Sequence, residues 1–272
     1  MFKDIIIGQY VQGKSAIHSL DPKIKILLTI CYIVTLFIID KPLPYLMLGI
    51  LTVGMVVMTK IPIAFFIKGL KPMQFIIIFT AIINLFLTSG TPVWTADIFS
   101  FTLTITAEGI KAAITMFLRL TFLITGTSVL TLTTAPLMLT DGIEKLLRPL
   151  NIIKVPSHEI AMMMTIAIRF IPTLAEETEK IQKAQASRGA SLSSGNIIKR
   201  AKAMIPVLVP LFVSAFRRAD ELATAMDSRC YNGGRGRTRL NESKITYIDI
   251  LKAIVAIAAF AIVITAQFII EF

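Results

Sequence analysis

The sequence predicts an all-α, multi-pass membrane protein: about five spanning helices, with long amphipathic cytoplasmic helices between the fourth and the fifth. Three observations carry that prediction. The chain is 55 % hydrophobic over 272 residues, and its mean hydropathy of +0.75 lies far from the balance of an ordinary soluble domain. Its apolar residues gather into five runs without a charge, residues 26–39, 43–59, 72–96, 120–140 and 253–270, and a helix needs about 20 such residues to cross the hydrocarbon core. Between residues 141 and 244 the pattern is helical and amphipathic, with polar stretches too long for a loop.

The first run reaches spanning length only by borrowing Ile24 and the aliphatic stems of Lys23 and Lys25, which can snorkel. The fourth gains length by extending back through Ala112 to Leu118, and so encloses Arg119. About twenty mixed residues, Asp4 among them, precede the first run, which is not the layout of a cleaved signal. Orientation follows from the basic residues. Of the 28 Lys and Arg, 25 precede the first run, lie between the second and third, or fall between Lys145 and Lys252. Only Lys41, Lys111 and Arg119 lie elsewhere. The positive-inside bias then predicts a cytoplasmic N-terminus and an external C-terminus for five crossings. It also accounts for the net charge of +11 without nucleic acid as a partner. The expected division is 1–140 with four spans, 141–244 in the cytoplasm, and 245–272 with the last span.

The middle segment opens with Asp141 as an expected N-cap and Glu144 three residues on, a capping-box spacing. Ile143, Leu146, Leu147 and Leu150 then form one apolar stripe. A second helix is expected after Pro156, with Ser157 as cap and Glu159 in its first turn. It runs to about Ser187, roughly 45 Å at 1.5 Å per residue, and Gly189 stands where a left-handed C-cap belongs. After a short basic segment, NIIKRAKAM, a third helix is expected from about Ile205 to Ser228, kinked near its start by Pro206 and Pro210. Both long helices begin apolar, end polar and carry an arginine at the tip, Arg188 and Arg229.

A cation at a helix C-terminus is favoured by the dipole alone. The small neighbours Ser187 and Gly189 also leave the Arg188 guanidinium free to enter a groove on a partner, where its fork of donors holds carboxylates and carbonyls. Residues 180–239 hold 12 basic and 3 acidic side chains, a balance that attracts an acidic partner and anionic lipid alike.

Catalytic signatures are missing. No G-x-x-x-x-G-K-[ST] loop occurs, and GGRGR at 233–237 follows a helix with no strand before it, so nucleotide binding by this chain is not expected. None of the 17 carboxylates falls inside a charge-free run, as an ion-coupled carrier would require. His18 and His158 have no companions at metal-ligand spacing, and Cys31 and Cys230 sit in unlike settings, so neither a metal nor a cofactor is expected. A lipid-phosphate enzyme built on Arg119, Arg169 or the histidines would need a clustered polar site. A stand-alone permease or an anionic-lipid adaptor remains the alternative to a transporter subunit.

The stretch Ser15-Ala16-Ile17-His18-Ser19-Leu20-Asp21-Pro22-Lys23-Ile24-Lys25 resembles the S-x-I-H-x-L-D-P-x-x-K opening of the transmembrane T components of energy-coupling factor (ECF) transporters. The resemblance continues through residues 133–150 (TTAPLMLTDGIEKLLRPL), 169–189 (RFIPTLAEETEKIQKAQASRG) and 217–239 (RRADELATAMDSRCYNGGRGRTR). It implies a non-enzymatic membrane scaffold whose two coupling helices end in Ala-Arg-Gly-like tips. Those tips dock on two ABC-type ATPase subunits, while a small substrate-binding membrane protein, the S component, is held for uptake of a vitamin or micronutrient. Matched residue by residue, the tips are Ser187-Arg188-Gly189 and Ser228-Arg229-Cys230. Cys230 stands where the family pattern has Gly, so either it is not left-handed or Gly233-Gly234 makes the turn. For His18, Asp21 and Pro22 a structural role is favoured, because Asp-Pro before a helix is a good cap and turn on chemical grounds alone.

Overall fold

The computed structural model describes residues 10–98, 101–190, 196–233 and 245–269. They divide into two compact units, one of which holds residues 8–142 and 243–272, the other residues 143–242.

The first unit is the membrane unit. It contains α1 (Pro22–Ile38), α2 (Pro42–Thr59), α3 (Ile63–Leu70), α4 (Gln74–Leu87), a hairpin of β1 (Pro92–Ile98) and β2 (Phe101–Thr106), α5 (Ala107–Thr133), the start of α6 (Pro136–Leu147), and α9 (Tyr247–Ile269). A 3-10 turn, Lys71–Met73, joins α3 to α4 in one continuous apolar stretch. Among the described residues four helical stretches are long and apolar enough to cross a membrane: Pro42–Thr59, Ile63–Leu87, Ala107–Thr133 and Tyr247–Ile269. The fifth expected span, α1, is shorter at 17 residues.

Hydrogen bonds give the directions. Lys252 near the start of α9 donates to the Ala16 carbonyl at 3.1 Å, just ahead of α1. At the other end, the Gln267 Oε1 accepts from the amides of Asp40 and Lys41 at 3.2 Å, just past α1. So α1 and α9 run parallel, and α5 runs against them, since the Thr133 carbonyl meets Lys25 and Arg119 meets the Ile39 carbonyl.

Lipid tails are as apolar as leucine, so spanning helices associate by close packing and internal hydrogen bonds. Tyr32, Leu36 and Ile39 of the α1 region pack with Tyr45 and Leu48 of α2 and Phe260 and Val263 of α9 in a buried cluster that α5 flanks through Leu118 and Phe122. The Tyr32 hydroxyl donates to the Phe122 carbonyl at 3.0 Å and lies 2.9 Å from Thr52 Oγ1. Its ring lies against Gly126, where any side chain would overlap it. Arg119 survives inside α5 because it reaches the end of α1, donating to Tyr45 Oη at 2.9 Å, the Ile39 carbonyl at 3.1 Å and Asp40 Oδ1 at 2.7 Å.

Three expectations for this unit are corrected. The run 72–96 does not stay helical: Ser89-Gly90-Thr91-Pro92 ends α4, and Trp94 belongs to β1, paired antiparallel with β2. The hairpin is the exception to an otherwise helical fold. The run 120–140 breaks after Thr133, and α6 starts at Pro136, so Asp141 lies within α6 and is not its N-cap. Lys25 does not snorkel; it is 5 % exposed.

The second unit contains the end of α6, a 3-10 turn (Arg148–Ile153), α7 (Ser157–Ser187) and α8 (Ile197–Asp227). Ser157 is the first residue of α7, with Pro156 at the capping position and no side-chain cap. The basic segment after residue 196 forms the opening turns of α8, which runs through Pro206 and Pro210 and does not begin there. The pair is antiparallel: Gln185 Nε2 donates to the Pro206 carbonyl at 3.4 Å, and Arg218 donates to Glu177 Oε2 at 2.6 Å.

Candidate functional site: two arginine-capped helix tips

The two tips close with one hydrogen-bond pattern. At the end of α7 the Ala190 amide donates to the Gln185 carbonyl and the Gly189 amide to the Ala186 carbonyl, both at 3.0 Å. At the end of α8 the Tyr231 amide donates to the Met226 carbonyl at 3.1 Å and the Cys230 amide to the Asp227 carbonyl at 2.9 Å. These are the paired six-to-one and five-to-two bonds of a Schellman motif, which satisfy carbonyls that a helix C-terminus leaves open. In both, arginine holds the last position before the left-handed residue, and serine precedes it. Ser187 Oγ donates to the Lys183 carbonyl and Ser228 Oγ to the Ala225 carbonyl, each at 3.1 Å.

The left-handed residue is Gly189 at φ +86° in the first tip and Cys230 at φ +55° in the second. Cys230 therefore does adopt the conformation its side chain disfavours. Gly233 is also left-handed, at φ +74°, but beyond the motif, and Gly234 lies outside the described residues. Arg188 and Arg229 are exposed and make no ion pair among the described residues. Two exposed guanidiniums thus stand on hydrogen-bonded caps, with no side-chain partner among the described residues.

Because α7 and α8 are antiparallel, the tips stand at opposite ends of the pair. Gly233, four residues past Arg229, lies beside Glu159 in the first turn of α7. Arg188 closes the far end of that 31-residue helix, so the two arginines are on the order of 40 Å apart at 1.5 Å per residue. The middle of α8 exposes Leu208, Val209, Phe212, Val213 and Phe216, a stripe at helical spacing.

The N-terminal motif residues sit in the membrane unit. Asp21 caps α1, its Oδ1 accepting from the Lys23 amide at 2.9 Å, and Pro22 fills the first helical position. His18 lies 2.7 Å from Ser15 Oγ through Nδ1 and 3.0 Å from the Val11 carbonyl through Nε2. Lys25 was missed as a site residue. Its ammonium donates to the Thr133 carbonyl at 2.9 Å, to the His18 carbonyl at 3.2 Å and to Thr134 Oγ1 at 3.4 Å. No local pattern marks it, because two of its three acceptors lie more than 100 residues along the chain. In the second unit His158 Nδ1 lies 3.3 Å from Glu144 Oε1. Among the described residues no three His, Cys, Asp or Glu side chains converge as metal ligands.

Comparison with known proteins adds to this geometry. Residues 13–240 match the CbiQ family, described as cobalt transport protein. The chain is 56 % identical over 251 residues to the energy-coupling factor transporter transmembrane protein EcfT of Ruminiclostridium cellulolyticum, covering 92 % of each chain. The chain belongs to this family. Its likeness to the EcfT proteins of Clostridium kluyveri, 52 % over 268 residues and 98 % of each chain, and of Bacillus subtilis, 44 % over 262 residues, 95 % of this chain and 97 % of the other, spans nearly its whole length. As an EcfT-family chain it is a transmembrane transport component located in a membrane. The relatives are transport proteins by name, which fits a chain that is not itself an enzyme.

Proposed function

We propose that this chain is the scaffold that links two ABC-type ATPase subunits to a small membrane S component for vitamin or micronutrient uptake. The observation that carries the reading is the pair of matched arginine caps at opposite ends of one antiparallel helix pair. Two like tips far apart suit two like partners, one at each end. Each guanidinium brings a fixed fork of donors to acceptors on an ATPase surface. Neither α7 nor α8 contains a glycine, and each stays one continuous helix of 31 residues through its internal prolines, which suits it to carry displacement along its length. Movement of the ATPases on ATP binding and hydrolysis is carried through the tips to the apolar stripe of α8, where the S component is held and reoriented.

The orientation belongs to the same proposal: a cytoplasmic N-terminus and tips on the cytoplasmic face, where ATP is. The division into 1–140, 141–244 and 245–272 assigns the coupling role to the middle part. The test is purification of the tagged chain from its native membrane in mild detergent, with every co-purifying protein identified. Two ABC ATPases and one or more small membrane proteins support the reading. Absence of any ATPase, with other membrane complexes intact, overturns it and leaves the basic tips to anionic lipid.

A further inference from the structure

The membrane unit contains a partly open apolar pocket of about 190 Å³ among α1, α2, α5, α9 and the loop that precedes α1. Leu28 and Tyr32, Met55, Val129 and Phe260 contribute to its wall, with Lys252 at its polar edge. The polar groups around it are already committed. The three donors of Lys25 have three acceptors, and the Tyr32 hydroxyl is bonded to Thr52 and Phe122. Thr29 and Thr133 bond back to the Lys25 and Val129 carbonyls, at 2.8 and 2.7 Å. A buried water needs two to four polar partners, and an apolar cavity without them stays dry or takes an apolar guest. Empty space here would forfeit dispersion contacts along the whole wall.

The edge differs from the interior. Lys252 is half-buried, its ammonium held by the Ala16 carbonyl at 3.1 Å and Ser19 Oγ at 3.3 Å. An ammonium has three donors, and among the described residues two acceptors take two of them, which leaves one for an anion. Apolar lining with a single anchored cation at the edge is complementary to an amphiphile with a negative head.

We infer that this pocket binds an acyl chain of an anionic phospholipid, with Lys252 holding the phosphate. The occupant is a bilayer lipid because the pocket belongs to the unit that spans the bilayer, and the methionine in its wall adapts to a flexible chain. One lysine near a membrane surface favours an anionic headgroup by about fivefold.

The experiment is native mass spectrometry on the purified, delipidated full chain, titrated in detergent with phosphatidylglycerol or phosphatidylcholine. The wild type is expected to retain one phosphatidylglycerol with about fivefold preference. Lys252→Gln should bring the preference to about one while leaving a chain bound. Ala256→Trp, which fills the pocket from α9, should reduce retention of both lipids, with circular dichroism checking that the helices persist. Equal retention of the two lipids by the wild type overturns the proposal, as it would if the pocket receives a side chain of a partner protein. An unchanged preference in Lys252→Gln overturns it too; that variant keeps a donor for the Ala16 carbonyl and Ser19 Oγ while removing the charge, so the test stands even if Ala256→Trp does not fold.

Discussion

Gly189 and Cys230 occupy the same position in two copies of one motif, each the left-handed residue that lets a long helix close behind an arginine. The chemistry of the two residues differs where the geometry does not. Glycine takes φ +86° without strain, whereas a side chain at φ +55° crowds its own carbonyl, at a cost of about 1–2 kcal/mol. Cys230→Gly is therefore expected to stabilise the second cap by about 1 kcal/mol, and Gly189→Ala to destabilise the first by a similar amount. Hydrogen exchange at the Tyr231 and Ala190 amides reads each cap separately. Slower exchange at Tyr231 in Cys230→Gly is the expected result, and faster exchange would contradict it.

Charge reversal separates the tips from the fold. Arg188 and Arg229 make no ion pair among the described residues, so Arg188→Glu with Arg229→Glu should leave the helices intact. Docking is another matter, because each guanidinium would face acceptors and now presents a carboxylate to them. Co-purified ATPase is expected to fall at least about tenfold in the double variant. Unchanged yield of the complex would remove the arginines from the interface.

Lys25 joins segments far apart in sequence, since its partner Thr133 lies 108 residues away. Replacing it with methionine keeps the volume and leaves the Thr133 and His18 carbonyls without their donor. Stability is expected to fall by about 1–3 kcal/mol, read as a lower unfolding temperature of the purified protein in detergent. Thr134→Val removes only the long 3.4 Å acceptor and should change it less. Equal effects would mean that the lysine acts through its stem and not its ammonium.

Gly126 is required by shape. A methyl group there meets the Tyr32 ring, and overpacking of this kind costs about 1–3 kcal/mol. Gly126→Ala should lower the unfolding temperature, and Tyr32→Leu in the same chain should recover part of the loss, because the clash is between those two side chains. Additive losses in the double variant would show that the two residues are not coupled.

What was legible in the sequence was what short-range chemistry controls. Charge-free runs marked the spans because the bilayer excludes charge, and Asp21-Pro22 marked the start of α1 because both residues act within one turn. Gly189 was legible for the same reason. The hairpin was legible in principle: Phe101-Thr102-Leu103-Thr104-Ile105-Thr106 alternates strictly, but the absence of charge up to residue 96 masked the break at Ser89-Gly90. Asp141 misled because its capping-box spacing also occurs inside a helix that had started five residues earlier. The burial of Lys25 was hidden because two of its three acceptors, at Thr133 and Thr134, come from the end of α5, which no local pattern identifies. Cys230 was undecided because the motif that forces its φ is made by bonds from Tyr231 and Cys230 back into α8.

Membrane sidedness is open to a direct chemical test through the two cysteines. Cys31 lies half-buried within α1, whereas Cys230 is exposed at the second tip. A membrane-impermeant maleimide should modify Cys230 in inside-out vesicles and leave it unmodified in sealed right-side-out ones, with Cys230→Ser as the control for Cys31. If the 25 basic residues that precede the first run, lie between the second and third, or fall in 145–252 share one face, the positive-inside bias puts that face in the cytoplasm. Labelling from the outside would reverse the orientation and place both arginine tips on the face without ATP. In that event neither tip could meet an ATPase, whatever its geometry, and the coupling role proposed for α7 and α8 would fall with it.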